Sequence, residues 1–132
     1  MGDLKLTFIL PNLGIGGVEI NFLNLANYYA GSFKKIDVLY CLELDNGDYK
    51  KRFDRSISFS KINLKGFIKS IFSYSKYFNE RTPDIILVPM YMPAVILIIA
   101  RLFSEHKPKI IINGNAHFSS VIQNTDSNVI RY

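Results

Sequence analysis

The chain has 132 residues and is poor in several residue types that would indicate particular protein classes. It contains one cysteine, Cys41, and no tryptophan. A single cysteine cannot form an internal disulfide, which excludes a disulfide-rich secreted scaffold and favours a reducing compartment. The amino terminus also lacks the pattern of a signal peptide. With 48% apolar and 20% charged residues, the composition indicates one globular domain with its own hydrophobic core.

The sequence also lacks an uninterrupted apolar run long enough to cross a membrane. The most apolar stretch spans 16 uncharged residues, 85–100, whereas a membrane-spanning helix needs about 20. Pro89 and Pro93 interrupt this stretch. Because proline is tolerated in the first turn of a helix but not in its interior, the stretch predicts a buried strand, a loop and then a helix.

Acidic residues are fewer than basic ones. The sequence has 11 Asp and Glu residues and 16 Lys and Arg residues, which gives a formal net charge of +5. This sign suits a phosphate-bearing ligand, an anionic membrane or a nucleic acid. The basic residues are spread over several predicted elements, and neither a helix-turn-helix pattern nor a module of stacking aromatics is present. We therefore expect no nucleic-acid partner.

Strand and helix patterns alternate along the chain. The predicted strands lie at 4–10, closed by Pro11, and at 36–44, 57–62, 85–88 and 109–113. The predicted helices lie at 18–30, 64–78 and 93–103. Such alternation requires right-handed crossovers and a parallel sheet that is covered on both faces. The predicted fold class is α/β: a Rossmann-like, three-layer α/β/α domain with a mainly parallel sheet of about five or more strands.

Three glycines, at positions 14, 16 and 17, lie between the first predicted strand and the first predicted helix. In a parallel α/β sheet ligands bind at the carboxyl ends of the strands, where the segment from Asn12 to Gly17 lies. Unpaired amides at a helix amino terminus favour an anion, and missing side chains let a phosphate approach them. The turn therefore predicts a phosphate or diphosphate site. The alternative is a tight strand-to-helix turn that needs glycine only for its backbone angles.

Two common phosphate-binding motifs do not fit this turn. A dinucleotide fingerprint needs a third glycine where Glu19 stands, and an acidic residue about 20 positions on that closes the second strand. Asp37 has this spacing but begins the predicted strand. A P-loop needs Gly-Lys followed by Ser or Thr, which the sequence does not contain.

At this turn the chain resembles a known family. The segment LGIGGVEINFLNLANYY is similar to the first strand–turn–helix of family 4 glycosyltransferases, with its Gly-Gly-x-Glu opening and Leu-Asn-Leu-Ala-like helix. IDVLYCLELDNGDYKKRF resembles the family's second strand with its Gly-Asp-Tyr turn. TPDIILVPMYMPAVILIIARL and KPKIIINGNAHFSS resemble its Pro-Asp strand with the following helix and its fifth strand with the following loop. The resemblance covers nearly the whole chain.

The resemblance implies the GT-B architecture, in which two Rossmann-like domains face each other across a cleft. The amino-terminal domain holds the acceptor and the carboxyl-terminal domain holds the nucleotide-sugar donor. Transfer retains the anomeric configuration, and we expect neither a cofactor nor a metal ion. Gly16 and Gly17 would then offer backbone amides to the donor diphosphate, and Glu19 would support the turn.

Further candidate residues lie at the same end of the predicted sheet. The family often carries a histidine just past the fifth strand. Here His117, the candidate catalytic residue, is that histidine displaced by about two positions, or Asn115 occupies its place; the alternative for His117 is a surface histidine. The candidate acceptor-binding residues are Asn12, Tyr91 and Asn115, and Tyr91 either stacks on a sugar or packs within its loop.

Under this hypothesis residues 1–132 form the amino-terminal domain of a larger protein. The donor domain, with its paired glutamates, is missing, so we expect a truncated domain that does not catalyse transfer alone. The parent would be a hexosyltransferase that transfers a sugar from a nucleotide-sugar to a glycan or lipid-linked acceptor, in cytoplasmic surface-polysaccharide biosynthesis. The alternative is a non-catalytic Rossmann-like module that binds a nucleotide or phosphosugar.

The predicted helix at 64–78 combines an apolar side with a lysine-rich side. The apolar side would comprise Leu64, Phe67, Ile68, Ile71, Phe72 and Phe78, and the opposite side Lys65, Lys69, Ser73 and Lys76. One interpretation is a helix that covers the sheet and exposes its lysines to water. The other is attraction to anionic lipids, which would bring the enzyme to the inner face of the membrane as a peripheral protein.

Overall fold

A computed structural model describes residues 2–14, 16–44 and 48–114. The strands are β1 (Lys5–Leu13), β2 (Lys35–Glu43), β3 (Ser58–Lys61), β4 (Ile85–Val88) and β5 (Lys109–Ile112). The helices are α1 (Gly17–Tyr29), α2 (Phe67–Arg81) and α3 (Tyr91–Phe103), and a short 3-10 helix (Lys50–Arg52) lies between β2 and β3. Every predicted strand and helix is present, with ends shifted by at most three residues.

The five strands form one parallel sheet in the order β3-β2-β1-β4-β5. The central strand β1 pairs with β2 from Lys5, opposite Lys35, to Leu13, opposite Glu43. Side chains of α1 pack on one face of the sheet, and those of α2 and α3 pack on the other. This arrangement confirms the predicted Rossmann-like α/β fold class.

The expectation that Pro11 closes the first strand is wrong, because β1 continues to Leu13. Successive residues of a strand direct their backbone N–H and C=O groups to opposite neighbours. The carbonyl of Lys5 accepts a hydrogen bond from the amide of Asp84, which precedes β4, whereas the carbonyl of Leu13 accepts one from the amide of Leu44, which follows β2. Pairing with β4 stops at Phe8, and the register with β2 passes from Leu10 to Asn12, so Pro11 has no partner in either ladder and its missing N–H is tolerated there.

One face of the sheet packs against α1 and the connection between β2 and β3. The fully buried members of this core include Phe8, Leu10, Leu13, Phe22, Ala26 and Val38. The rings of Phe8 and Phe22 meet edge to face with their centroids 5.7 Å apart, which anchors α1 on β1. The helix ends just before Gly31, whose φ of +83° is the left-handed conformation that glycine adopts readily at a helix end.

The opposite face packs against α2 and α3, and here the predicted apolar side of α2 is partly wrong. Ile71 and Phe78 are buried, but Phe67, Ile68 and Phe72 are 53%, 68% and 60% exposed. The side of α2 that faces the sheet also carries Ser70, Tyr74, Ser75 and Tyr77. Because the serines are small and the tyrosine rings are large and apolar, this side packs well without an aliphatic stripe. The outer side of α2 consequently carries aromatic residues and lysines together.

Helix α3 is apolar on most of its surface. Ala94, Leu97 and Ala100 face the sheet and are buried, whereas Val95 and Leu102 are exposed. None of the helices in the described part of the chain is long and apolar enough to cross a membrane.

Candidate functional site

The carboxyl ends of β1, β4 and β5 bring together the predicted site residues that the structure describes. The glycine turn follows β1 at Leu13, α3 begins just after β4, and Asn113 follows β5. The connection that follows the central strand β1 leads to β2 on one side of it. Strands β4 and β5 lie on the other side of β1. The edge where connections diverge in this way is the usual ligand site of a parallel α/β sheet, and the glycine turn lies at this point.

The glycine turn presents backbone amides at this edge. Gly16 is the N-cap of α1, with an extended backbone (φ −142°, ψ 167°), and its carbonyl accepts the first helical hydrogen bond, from Ile20 at 2.9 Å. No side chain caps this helix end. Among the described residues, no carbonyl accepts a hydrogen bond from the amides of Gly16 or Gly17. These N–H groups and the positive end of α1 together suit an anion.

Space for an anion lies beside Gly17 rather than beside Gly16. A Cβ atom added at Gly17 would have no neighbouring atom within 4 Å. At Gly16 the added Cβ would collide with the carboxylate of Glu19, which folds back over the turn. An acidic side chain in the first turn interacts favourably with the helix dipole, so Glu19 itself stabilises this end of α1. An anion at Gly16 would be repelled by this carboxylate, which leaves the Gly17 side open to a ligand.

The connection between β2 and β3 supports the glycine turn. Tyr49 is fully buried, and its hydroxyl donates a hydrogen bond to the backbone carbonyl of Glu19 in the first turn of α1. Its ring packs edge to face on Phe53 with the centroids 5.3 Å apart. On the other side of the turn, a Cβ atom at Gly14 would lie 3.2 Å from Leu44, so glycine lets the end of β2 approach closely. Sequence reasoning noted the Gly-Asp-Tyr turn but did not identify this supporting role.

Tyr91 begins α3 and links the ends of β4 and β5. Its side chain is exposed, and its hydroxyl lies so close to Gly114 that a Cβ atom there would come within 2.6 Å of it. Asn12 is half-buried near the end of β1, where it pairs with Leu42 of β2. The structure thus places Tyr91 at the carboxyl edge of the sheet. Asn12 is the second-last residue of the central strand β1.

Two further predicted site residues, His117 and Asn115, lie outside the described residues, so their roles stay predictions. Within residues 2–14, 16–44 and 48–114, no cluster of three or more His, Cys, Asp or Glu side chains could hold a metal ion. Cys41 is half-buried, and burial raises the pKa of its thiol, which makes it a poor nucleophile at neutral pH.

The amino-terminal edge of the sheet carries a buried polar group that the sequence did not reveal, the Asp37 cluster. The carboxylate of Asp37 accepts hydrogen bonds from the hydroxyls of Ser58 (2.9 Å), Ser60 (2.7 Å) and Tyr77 (2.5 Å). The Thr7 hydroxyl lies 3.1 Å from that of Tyr77. Burial and the nearby Asp37 carboxylate raise the pKa of Tyr77, so this hydroxyl stays protonated as a donor. The cluster joins three strands to α2 and is structural.

These features define a class of fold. A parallel sheet with a glycine turn at its switch point, α1 on one face and two helices on the other, is a Rossmann-like α/β layer. The described fold is similar to the apo structure of the lipopolysaccharide outer core galactosyltransferase WaaB, with a TM-score of 0.66 and 18% sequence identity. The similarity covers 83% of this chain and 33% of that one, so this chain spans about a third of the galactosyltransferase.

The comparisons with protein families and curated proteins add no relative. No protein-family model and no curated protein matches the chain. At 18% identity the structural similarity establishes the fold, and it confirms the resemblance to glycosyltransferases at that level.

Proposed function

We propose that this chain is the amino-terminal, acceptor-side domain of a retaining glycosyltransferase of GT-B architecture. The parent protein would transfer a hexose from a nucleotide-sugar to a glycan or lipid-linked acceptor in surface-polysaccharide biosynthesis in the cytoplasm. The observation that carries the proposal is the pair of amides at Gly16 and Gly17, which have no acceptor among the described residues and lie at the switch point of a glycosyltransferase-like fold. A donor domain elsewhere in the parent would close over this edge.

The proposed role of the glycine turn is to stabilise the leaving group. When the bond between the sugar and the diphosphate breaks, negative charge grows on the departing phosphate oxygen. Amides held in place at the positive end of a helix stabilise this charge without having to reorganise. Gly17 would supply the most accessible amide, because the space beside it is open. With this stabilisation supplied by the backbone, we expect no metal ion and no cofactor to be needed.

The acceptor would bind at the same edge. We assign acceptor contacts to Asn12, Tyr91 and Asn115, and a position near the reacting sugar to His117. Tyr91 has the clearest structural support, because its exposed ring lies at the carboxyl edge beside Gly114.

A titration of inorganic pyrophosphate into the 15N-labelled chain tests the anion site. We expect the amide resonances of Gly16 and Gly17 to shift with weak, saturable affinity, while that of Gly31, at the other end of α1, stays in place. Unmoved resonances at Gly16 and Gly17 would contradict the proposal.

A proline substitution tests the amide in the complete enzyme. Gly17 is the first helical residue, where proline is tolerated, and Gly16 before it has the extended backbone that precedes proline. We expect Gly17→Pro in the longer parent protein to lower kcat about 100-fold, because it removes one charge-stabilising donor. The matched control, Gly17→Ala, keeps the N–H group and should retain most of the activity. Equal activities of the two variants would exclude this role.

The isolated 132-residue chain provides a further test of the two-domain arrangement. We expect it neither to transfer sugar nor to hydrolyse a nucleotide-sugar, since the donor's nucleotide would be held by the other domain. Either activity, measured with UDP-hexoses, would overturn this arrangement.

We also propose a peripheral contact with anionic membrane through the outer side of α2. Phe67, Ile68 and Phe72 are exposed there on the same helix as the exposed Lys69, and the exposed Lys65 lies just before the helix. Exposed aromatic residues next to lysines are typical of helices that lie in the headgroup region of an anionic bilayer.

Sedimentation with phosphatidylglycerol vesicles at low salt tests this contact. The wild-type chain should pellet with the vesicles, and Phe72→Ser should weaken pelleting several-fold. Tyr28→Ser, on the opposite face of the sheet, is the control and should pellet like the wild type. If the wild-type chain stays in the supernatant, the membrane contact is excluded.

A non-catalytic module that binds a nucleotide or phosphosugar is the second candidate function. It is favoured by the fact that the amide site is complete within this chain. Tight binding of a nucleotide by the isolated chain would support this candidate against the transferase domain.

A further inference from the structure

The dipeptide Asn113–Gly114 directly follows β5 at the carboxyl edge of the sheet. In such a pair the backbone nitrogen of the glycine can reach the side-chain carbonyl carbon of the asparagine, since glycine has no Cβ atom to hinder the approach. The two atoms then close a five-membered ring within one chain, which is far easier than a reaction between separate molecules. The proposed transferase function assigns no role to Asn113.

The structure leaves both reacting groups without a hydrogen bond. In the described ranges neither the side-chain amide of Asn113 nor the backbone amide of Gly114 has a hydrogen-bonding partner. The backbone amide of Asn113 itself donates to the carbonyl of Val88 at 2.8 Å, so the chain is held to β4 as far as this residue. Gly114 is exposed, and β5 is an edge strand. Local opening at such a strand end costs little free energy, so the glycine nitrogen can turn towards the asparagine side chain.

Other asparagines of the described residues differ from Asn113. The side chains of Asn27 and Asn79 bind backbone groups of other segments. Asn21 and Asn24 lie inside α1, where helical hydrogen bonds hold the backbone nitrogen that follows each of them. Among the asparagines that the structure describes, Asn113 is the only one that precedes a glycine. Sequence and structure therefore single out the same residue.

We propose that Asn113 is a site of spontaneous deamidation. The backbone nitrogen of Gly114 loses its proton and attacks Cγ of Asn113. A bond between this nitrogen and Cγ forms, the bond from Cγ to the side-chain nitrogen breaks, and that nitrogen leaves with the proton as ammonia. Water then opens the cyclic imide at either of its two carbonyl carbons, which gives aspartate or isoaspartate. No group is oxidised or reduced, and water is the only co-reactant.

The product places a carboxylate in a cleft that carries no charged side chain. This cleft lies between α1 and the end of β5 and is lined by Asn21, Phe22, Asn24, Leu25, Tyr28 and Asn113. Asn21 follows Gly17 by four residues, about 6 Å along the helix. A negative charge at position 113 therefore acts against an anion at the amide of Gly17, and salt screens this repulsion. The effect on the anion rests on the proposed function, whereas the deamidation does not.

Peptide mass spectrometry tests the reaction. The 132-residue chain is incubated at neutral and at mildly alkaline pH and then digested briefly with trypsin at mildly acidic pH. We expect the peptide 110–131 to gain the mass that replacement of NH2 by OH adds at Asn113, with aspartate and isoaspartate both present. The rate should rise with pH, because the attacking nitrogen must lose its proton. It should lie within about tenfold of the rate in a synthetic peptide of the same sequence, because the strand end opens readily.

Matched controls locate the reaction. Asn113→Gln keeps a side-chain amide but would have to close a six-membered ring, so this variant should not react on the same timescale. Asn63, which is exposed and precedes leucine, should stay unchanged in the wild-type chain. Asn46 also precedes glycine but lies outside the described residues, and trypsin releases it in the separate peptide 36–50. Its modification is therefore not counted with that of Asn113.

Three results would overturn the deamidation site: an unchanged Asn113 in the folded chain while the synthetic peptide reacts, aspartate without isoaspartate, or an equal conversion of Asn63. The effect on the anion is measured with Asn113→Asp in the pyrophosphate titration. We expect binding about twofold weaker than that of the wild type, with the difference lost at high salt. Equal binding at low salt would remove this effect and retain the deamidation. A wild-type chain that ignores pyrophosphate but deamidates would lose the transferase anion site alone.

Discussion

The two ends of the parallel sheet use their polar groups in opposite ways. At the amino-terminal edge they bind one another: the Asp37 cluster is buried, and the amide of Lys5 donates to the carboxylate of Asp84 at 2.8 Å. At the carboxyl edge the amides of Gly16 and Gly17 have no acceptor among the described residues. The amino-terminal edge therefore contributes stability, while the carboxyl edge leaves backbone amides available to a ligand.

The comparison also explains why the domain tolerates glycines at its functional end. Glycine loses more conformational freedom on folding than any other residue, and unpaired amides contribute nothing to folding. The amino-terminal edge, called the closed end below, compensates with buried hydrogen bonds to a charged group. Such hydrogen bonds are stronger than those between neutral groups. Substitutions at the two ends should consequently separate stability from ligand binding.

The largest expected effect is at the closed end. Asp37→Ala should lower the free energy of unfolding by about 3 kcal/mol, because it removes a buried charged acceptor that binds the buried hydroxyl of Tyr77 and the half-buried hydroxyls of Ser58 and Ser60. Urea unfolding followed by circular dichroism measures this loss. Asp3→Ala, an exposed acidic residue, is the control and should change stability by less than about 0.5 kcal/mol. Pyrophosphate shifts at Gly17 should persist in Asp37→Ala; their loss would show that the two ends are not independent.

Two buried tyrosines of α2 allow a sharper version of this test. Tyr77→Phe should cost about 2 kcal/mol, since it removes the hydroxyl bonded to Asp37. Tyr74 is equally buried, but its hydroxyl has no hydrogen-bonding partner in the described ranges. Tyr74→Phe should therefore be neutral or slightly stabilising in the same urea experiment. Equal losses for the two variants would show that ring packing, and not the Asp37 cluster, stabilises this end.

Alkaline pH should lower the free energy of unfolding through the two buried tyrosines of α2. Burial raises the pKa of Tyr74 and Tyr77 in the folded chain above the usual value of about 10. The unfolded chain then releases protons first, so stability is complete below about pH 10 and falls as the pH rises further. The expected slope is about 1.4 kcal/mol per pH unit for each tyrosine. Urea midpoints between pH 9 and 11 measure it, and Tyr74→Phe should reduce the slope; an unchanged slope would contradict the assignment.

The smallest expected effect is at the carboxyl edge of the sheet, the open end. Glu19→Gln should cost about 0.5 kcal/mol of stability, because it removes a negative charge from the first turn of α1. The same change should strengthen pyrophosphate binding several-fold, since the carboxylate beside Gly16 no longer repels the anion. Thermal unfolding and the pyrophosphate titration measure the two effects. Glu80→Gln, outside this edge, is the control and should alter neither the titration nor the Gly17 resonance.

Several parts of this structure were predictable because they follow from local patterns. The β-branched runs 85–88 and 109–112 predicted strands of a parallel sheet, and both are strands in the structure, β4 inside the sheet and β5 exposed at its edge. The position of the glycine turn between β1 and α1, and the left-handed stop at Gly31, follow equally from short-range backbone preferences.

Other features depend on residues that are far apart in the chain. The sheet-facing side of α2 was misjudged because Tyr77 is buried by its bond to Asp37, 40 positions away, which no helical period shows. Pro11 was read as the end of a strand because its local sequence does not show that neither β2 nor β4 pairs with this residue. The support of the glycine turn by Tyr49 likewise joins residues 30 positions apart.

By itself the amino-acid sequence determined the order of strands and helices, the parallel α/β class and the location of the glycine turn, because each follows from interactions between near neighbours in the chain. Only the tertiary structure decided which side of α2 is buried and which glycine faces open space. Those outcomes depend on how distant segments compete for the same buried volume and the same hydrogen-bonding groups, and this competition is resolved only when the whole sheet has formed.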